Sequence, residues 1–329
     1  MTRPRFLPDN FSLMIMGMVI LASIVPIYGQ AAVIFNHLTN FAIALLFFLH
    51  GAKLSREAVI AGLTHWRLHL FIFASTFVMF PILGLVLKPV IEPLLGHQLY
   101  LGILYVCMLP STVQSSIAFT SIAKGNVPAA LCSASASNLL GMFITPFLVS
   151  LFIAQSMHQG ASGSGDAVLN IVMLLLVPFI LGQICRAKIF PWLKERAVVV
   201  KAVDQGSILM VVYAAFSEAV IEGIWHQVSI ETLVALVLIC CGLLAIVMIL
   251  LSYSSKAFGF NRADRIAILF CGSKKTLASG VPMAKIIFAG QPIGLILLPL
   301  MLFHQIQLIV CGILASRFAQ QSISEDQGE

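Results

Sequence analysis

Along this chain, hydrophobic residues come in long runs and polar residues in short clusters between them. The apolar runs fall at about 11–28, 31–51, 68–90, 98–123, 127–155, 167–186, 200–221, 232–255, 264–288 and 293–317, ended by polar or Pro/Gly breaks. They predict ten transmembrane helices, because an open strand cannot satisfy its backbone in lipid. Composition agrees. Of 329 residues, 60% are hydrophobic and 10% charged, and the mean hydropathy is +1.01. A soluble domain could not cover so much apolar surface with polar groups. The predicted fold class is an all-α polytopic membrane protein, with the lipid bilayer as its first partner.

Charge orients the helices. With the N-terminus inside, fifteen lysines and arginines, among them Lys53, Arg67, Lys124, Arg186, Lys256 and Arg317, fall in inner segments. The outer loops hold two, Lys88 and Lys285, and Lys274 and Lys275 remain within the ninth run. This asymmetry predicts that both termini are cytoplasmic. It also assigns the pI near 9.0 to inner loops and not to a nucleic-acid surface. The second run follows the first at once, so no cleaved signal peptide is expected.

Two halves echo each other. "EAVI" occurs at Glu57–Ile60 and again at Glu218–Ile221, while Thr112 and Thr276, Ser115 and Ser279, and Pro128 and Pro292 each pair 164 positions apart. Five spans per half is an odd number, so the second half is inverted relative to the first, the architecture of many secondary transporters. The predicted division is 1–160 for the first five-helix repeat, 161–320 for the second, and 321–329 for a polar acidic tail, "SISEDQGE" and the residue before it, with nothing to pack.

The fourth and ninth runs carry the candidate chemistry. "CMLPSTVQSSIAFTSIAKG" places Pro110, Ser111, Thr112, Gln114, Ser115 and Ser116 in mid-membrane, and "CGSKKTLASG" places Gly272, Ser273, Lys274, Lys275, Thr276, Ser279 and Gly280 at the matching depth. Pro removes a backbone donor, Gly weakens a helix, and clustered hydroxyls bond to the freed backbone. Both helices are therefore expected to break and to cross near the midplane. Lysine at the bilayer centre costs roughly 2.5–3.5 kcal/mol on insertion scales. Either the lysines snorkel and bond to carbonyls at the break, or at least one is a fixed cation that replaces a coupling ion or holds an anionic substrate. The Ser/Thr/Gln cluster has its own plain reading as helix-packing glue. So does Asn138, which follows the small-residue stretch "SASAS".

Other polar residues are weaker candidates. His65 and His69 lie four apart, but with Arg67 between them and no carboxylate nearby they are expected at the interface and not on a metal. His304 and Gln305 fit a proton path or a packed hydrogen bond equally well. Glu57 and Glu218 read as repeat-related end residues or entrance gates. Seven cysteines lie in or beside apolar runs without any C-x-x-C, which predicts reduced packing residues. No phosphate-binding loop, H-E-x-x-H or G-x-S-x-G occurs, so no enzyme is expected.

Four segments, "FFLHGAKLSREAV", "CMLPSTVQSSIAFTSIAKGN", "SNLLGMFITPFL" and "FCGSKKTLASGVPMAKIIFAG", carry a resemblance to the bile acid/sodium symporter superfamily, and most closely to its member 7-like branch. The resemblance implies ten helices in a panel domain and a core domain, discontinuous crossing spans four and nine, and alternating access by movement between the domains. It departs from the sodium-coupled branch at the ion sites. Ser273 stands where that branch has a glutamate, Leu277-Ala278 where it has Gln-Asn, and Thr76 where it has a sodium-binding glutamine. Ser115 and Ser116 keep the positions of a Ser-Asn sodium pair, and Asn138 takes a threonine position. The implied cofactor is thus none beyond a sodium ion at a partial site of Ser115, Ser116 and Asn138.

The expected function is secondary transport of a small organic anion across the cytoplasmic (inner) membrane of a bacterium, with little sodium dependence. The residues expected to bind substrate or ion are Thr112, Gln114, Ser115, Ser116, Asn138, Ser273, Lys274, Lys275, Thr276 and Ser279. The alternative is a membrane regulator or partner-binding protein that keeps the fold without transporting.

Overall fold

Helices built almost wholly from Leu, Ile, Val, Phe and Ala have no polar face to turn outward, and here they turn apolar side chains outward instead. Ile20, Ile24, Phe41, Leu70, Leu238 and Ile249 are all exposed, as expected of a surface solvated by lipid. The computed structural model describes residues 10–53, 65–153, 177–221, 223, 228–288, 291 and 293–326. Glu57 with its tetrapeptide, Pro292, the boundary at 160–161 and residues 167–176 of the sixth expected span lie outside them.

Among the described residues the chain is helical, without strands. The helices are α1 (Asn10–Ile24), α2 (Gly29–Lys53), α3 (Trp66–Val86), α4 (Lys88–Leu95), α5 (His97–Met108), α6 (Gln114–Ile122), α7 (Val127–Phe152), α8 (Val177–Glu195), α9 (Ala197–Ile221), α10 (Ile230–Ala257), α11 (Arg262–Gly272), α12 (Leu277–Ile287) and α13 (Ile293–Asp326). Six described helices are long and apolar enough to cross a membrane: α2, α3, α7, α9, α10 and α13, while Leu13–Ile24 and His97–Met108 are shorter apolar helices. No Gly or Pro follows Gly312 before residue 327, and α13 accordingly continues as helix to Asp326, through part of the stretch read as a tail.

The helices fall into two groups by their packing. Helices α1, α2, α8 and α9 hold one another, and α3 to α7 pack with α10 to α13, with the broadest contact between the groups running from α9 to α12 and α13. The α2–α8 pair is in backbone contact. A Cβ on Gly51 would drive into the Phe179 carbonyl, and one on Gly182 into the Phe48 carbonyl. In the other group Gly141 of α7 leaves room for Pro110, whose ring would lie 2.5 Å from an added Cβ.

Asn caps start α7 and α11, and one carboxylate joins them. Asn126 accepts from the Ala129 N–H and Asn261 from the Asp264 N–H, while the buried Asp264 carboxylate accepts from both Asn side chains at 2.7 and 2.8 Å. This fixes the α6–α7 turn against the α10–α11 turn.

Candidate functional site

Two helices stop short of their full length and start again a few residues later. Between α5 and α6 the chain is non-helical over Leu109–Val113, and between α11 and α12 over Ser273–Thr276. The two gaps touch: the Thr276 N–H donates to the Pro110 carbonyl at 2.9 Å. In a low-dielectric interior every freed backbone group needs a partner, and the partners here are specific.

At the end of α5, the Met108 carbonyl accepts from Thr145 Oγ1 at 2.8 Å, and the Cys107 and Leu109 carbonyls accept from Lys275 Nζ at 2.9 and 2.7 Å. At the end of α11, the Phe270, Cys271 and Gly272 carbonyls accept from Ser116, Ser111 and Ser75 at 3.1, 2.6 and 3.0 Å. The Ser111 N–H donates to Ser137 Oγ. Gln307 of α13 serves both sides of the Lys275 peptide, accepting from its N–H at 2.8 Å and donating to its carbonyl at 2.8 Å, with His304 beside it. One helix end is thus closed by an ammonium and a hydroxyl, the other by three hydroxyls.

The third ligand of Lys275 comes from an irregularity in α3. Over Ser75–Met79 that helix widens into a π-turn, in which the Phe80 N–H reaches back to the Ser75 carbonyl. The Thr76 carbonyl would then need the N–H of residue 81, which is Pro81 and has none. That orphaned carbonyl accepts from Lys275 Nζ at 2.8 Å, and the Phe80 ring lies 4.1 Å from the same nitrogen. Three donors meet three acceptors.

Lys274 is held otherwise. It is fully buried like Lys275, but its Nζ has no hydrogen-bond partner among the described residues. It stands 4.0 Å from the centre of the Phe119 ring and 5.4 Å from that of Phe270. Neither lysine has a carboxylate: the ion pairs among the described residues join Lys53 to Asp204 and Lys88 and His97 to Glu92.

The remaining expected residues gather around the gaps. Thr112 bonds to Ser115 at 2.7 Å and to Ser116 at 3.0 Å, and Ser279 donates to Asn138 at 3.1 Å. Ser273 turns back onto its own helix, donating to the Leu269 carbonyl. Gln114, at the start of α6, is exposed, and Ser115 and Asn138 are partly so; the others are buried. Ser115, Ser116 and Asn138 offer three neutral side-chain oxygens and no carboxylate; these bonds use part of their capacity and leave lone pairs on each. No cluster of three His, Cys, Asp or Glu exists among the described residues.

Several participants were not expected from the sequence: Ser75, the carbonyl of Thr76, Thr145, Ser137, and Gln307 in place of Gln305. His69, expected at the interface, is buried against Ser133 of α7 at 2.6 Å.

Comparison with known proteins settles the lineage. The SBF-like CPA transporter family matches residues 9–320. This chain belongs to that family. It is similar to the Pseudomonas aeruginosa protein PA2026, 57% identical over 322 residues, covering 98% of this chain and 96% of that one. It is 53% identical over 318 residues to the Escherichia coli K12 protein named "Putative symporter YfeH", covering 95% and 94%. The "Sodium/bile acid cotransporter 7" of Danio rerio is 31% identical over 285 residues, covering 84% and 82%. The resemblance to the bile acid/sodium symporter superfamily and its member 7-like branch therefore holds over most of the chain. The SBF-like protein described here is a multi-pass membrane protein of the transporter kind, with relatives named as transporters and not as enzymes.

Proposed function

We propose that this protein is a secondary transporter that carries a small organic anion by alternating access. In this reading ten spans form two inverted repeats in a bacterial inner membrane, with both termini cytoplasmic, and the two helix groups are the panel and core. One observation carries the choice of an anion: two buried lysines, without a carboxylate among the described residues, lie where the two gaps touch. Helices α6 and α12 begin at the same place with their positive N-terminal ends, while the negative ends of α5 and α11 are capped there by Lys275 and three serine hydroxyls. Gln114, Ser115 and Asn138 form the reachable polar edge beside the gaps. Because the positive charge is covalently attached, transport needs little sodium.

Uptake into proteoliposomes of a panel of small carboxylates and sulfonates, in sodium and in choline, tests this reading. Uptake of at least one anion, changed little by sodium, is expected. Steep sodium dependence with a Hill coefficient near two would overturn the coupling. No uptake of any member, together with cysteines introduced at Gln114 and Asn138 that react from neither side of the membrane, would favour the non-transporting regulator.

A further inference from the structure

The oxygens around Lys275 Nζ are all main-chain carbonyls, and each is free for a reason that lies in the backbone. Thr76 is orphaned by the π-turn and Pro81. Cys107 would pair with the N–H of Ser111 in a continuous helix, but that N–H is bound to Ser137 Oγ. Leu109 lies in the gap itself. The three oxygens belong to two different elements, α3 and the end of α5, and converge within 2.7–2.9 Å of one nitrogen. Carbonyl oxygens are hard ligands of the kind that hold small cations. The end of α5 also carries the negative pole of that helix.

We propose that these three carbonyls form a binding site for a small monovalent cation, filled in this chain by the tethered ammonium of Lys275. With the side chain shortened, the same oxygens take up a free ammonium, alkylammonium or alkali ion. The bland reading is that Lys275 merely ties loose carbonyls together and that the site closes when it is removed. The two readings part on one point: only a cation site refills. The proposal does not depend on what the protein transports.

The test uses full-length wild-type protein, Lys275→Ala and Lys275→Met in detergent. Thermal unfolding is followed in ammonium, methylammonium, sodium, potassium and choline chlorides at equal ionic strength. Choline presents no N–H donor and is too large for the site. The wild type should melt at one temperature in all five salts. Lys275→Ala should melt at least ~5 °C lower in choline, since buried carbonyls lose their donor, and should regain half or more of that loss in ammonium or methylammonium, saturably. Lys275→Met should be destabilised and regain nothing, because its side chain fills the space without a charge. Where Lys275→Ala does not survive purification, the same salts are compared for recovery of a monodisperse peak from solubilised membranes. Equal behaviour of Lys275→Ala in every salt, by whichever readout, or Lys275→Met as stable as wild type in choline, would overturn the proposal.

Discussion

Lys275 donates to the Cys107 carbonyl at 2.9 Å, and Ser111 donates to the Cys271 carbonyl at 2.6 Å, in opposite directions across the contact between the two gaps. The two donors stand 164 positions apart in the chain, and so do the two acceptors. The contact is the same in kind: a residue of one gap closes the last turn of the other half-helix. It differs in charge, because one donor is an ammonium and the other a hydroxyl.

Ser111→Ala should therefore destabilise the fold although it removes only one oxygen atom. The Cys271 carbonyl would be left buried without that donor, at a cost of about 1–3 kcal/mol. Ser111→Thr keeps the hydroxyl and should recover much of the loss. Denaturant or thermal unfolding of the three proteins in one detergent checks this. If Ser111→Ala unfolds with the wild type, the contact does not hold the two gaps together.

Pro81 acts on Lys275 through the Thr76 carbonyl that it leaves without a backbone donor. Pro81→Ala would supply the N–H that the Thr76 carbonyl lacks and remove a residue about 3 kcal/mol unfavourable in a helix interior. The variant should fold, and the amide of residue 81 should be protected against hydrogen exchange. Competition for the Thr76 oxygen should at the same time reduce transport. Rapid exchange at residue 81 would show that the π-turn persists for another reason.

Much of this site was legible in the sequence, and what was not has a physical explanation. Proline and glycine at 110 and 272, with hydroxyls crowded on both sides, mark interrupted helices because each residue type changes the backbone locally. Long apolar runs mark the helices because lipid forbids other backbones. The Thr76 carbonyl left no such mark, since every residue has one. Only the register shift of α3, with Pro81 at the position that would have supplied the donor, frees it. Gln307 was missed in favour of Gln305 because the choice between them rests on the rotation of α13, about 200° for two residues. The roles of Lys274 and Lys275 were equally hidden. Neighbours in sequence leave the break in different directions, and only the structure shows that one finds three oxygens and the other two phenyl rings.

The α2–α8 contact tolerates no added carbon. At Gly51 and Gly182 a Cβ would meet backbone carbonyls, which cannot swing aside as a side chain can. Gly51→Ala or Gly182→Ala should force the helices apart and cost about 3 kcal/mol or more, at the severe end for single substitutions. Gly17→Ala and Gly206→Ala, where nothing lies within 4 Å, should unfold like the wild type. Yields of monodisperse protein and unfolding temperatures compare the two pairs directly. Indistinguishable behaviour would mean that the two helices are not locked together.

Lys274→Met sets stability against function at one position. The substitution removes the attraction of an ammonium to the Phe119 and Phe270 rings, about 2 kcal/mol when desolvated. It also removes the burial of a cation that has no hydrogen-bond partner among the described residues, a penalty of several kcal/mol per ion. The second effect is the larger, so the variant should unfold no earlier than the wild type. If the uncompensated charge beside the two gaps is what draws the anion, the same variant should lose uptake in proteoliposomes even though it is well folded. Lys274→Arg keeps the charge but needs room for a planar group that the phenyl walls do not leave, and should recover little. A Lys274→Met protein that transports at the wild-type rate would remove this lysine from the mechanism, and one that unfolds well before the wild type would mean that the ring contacts outweigh the buried charge.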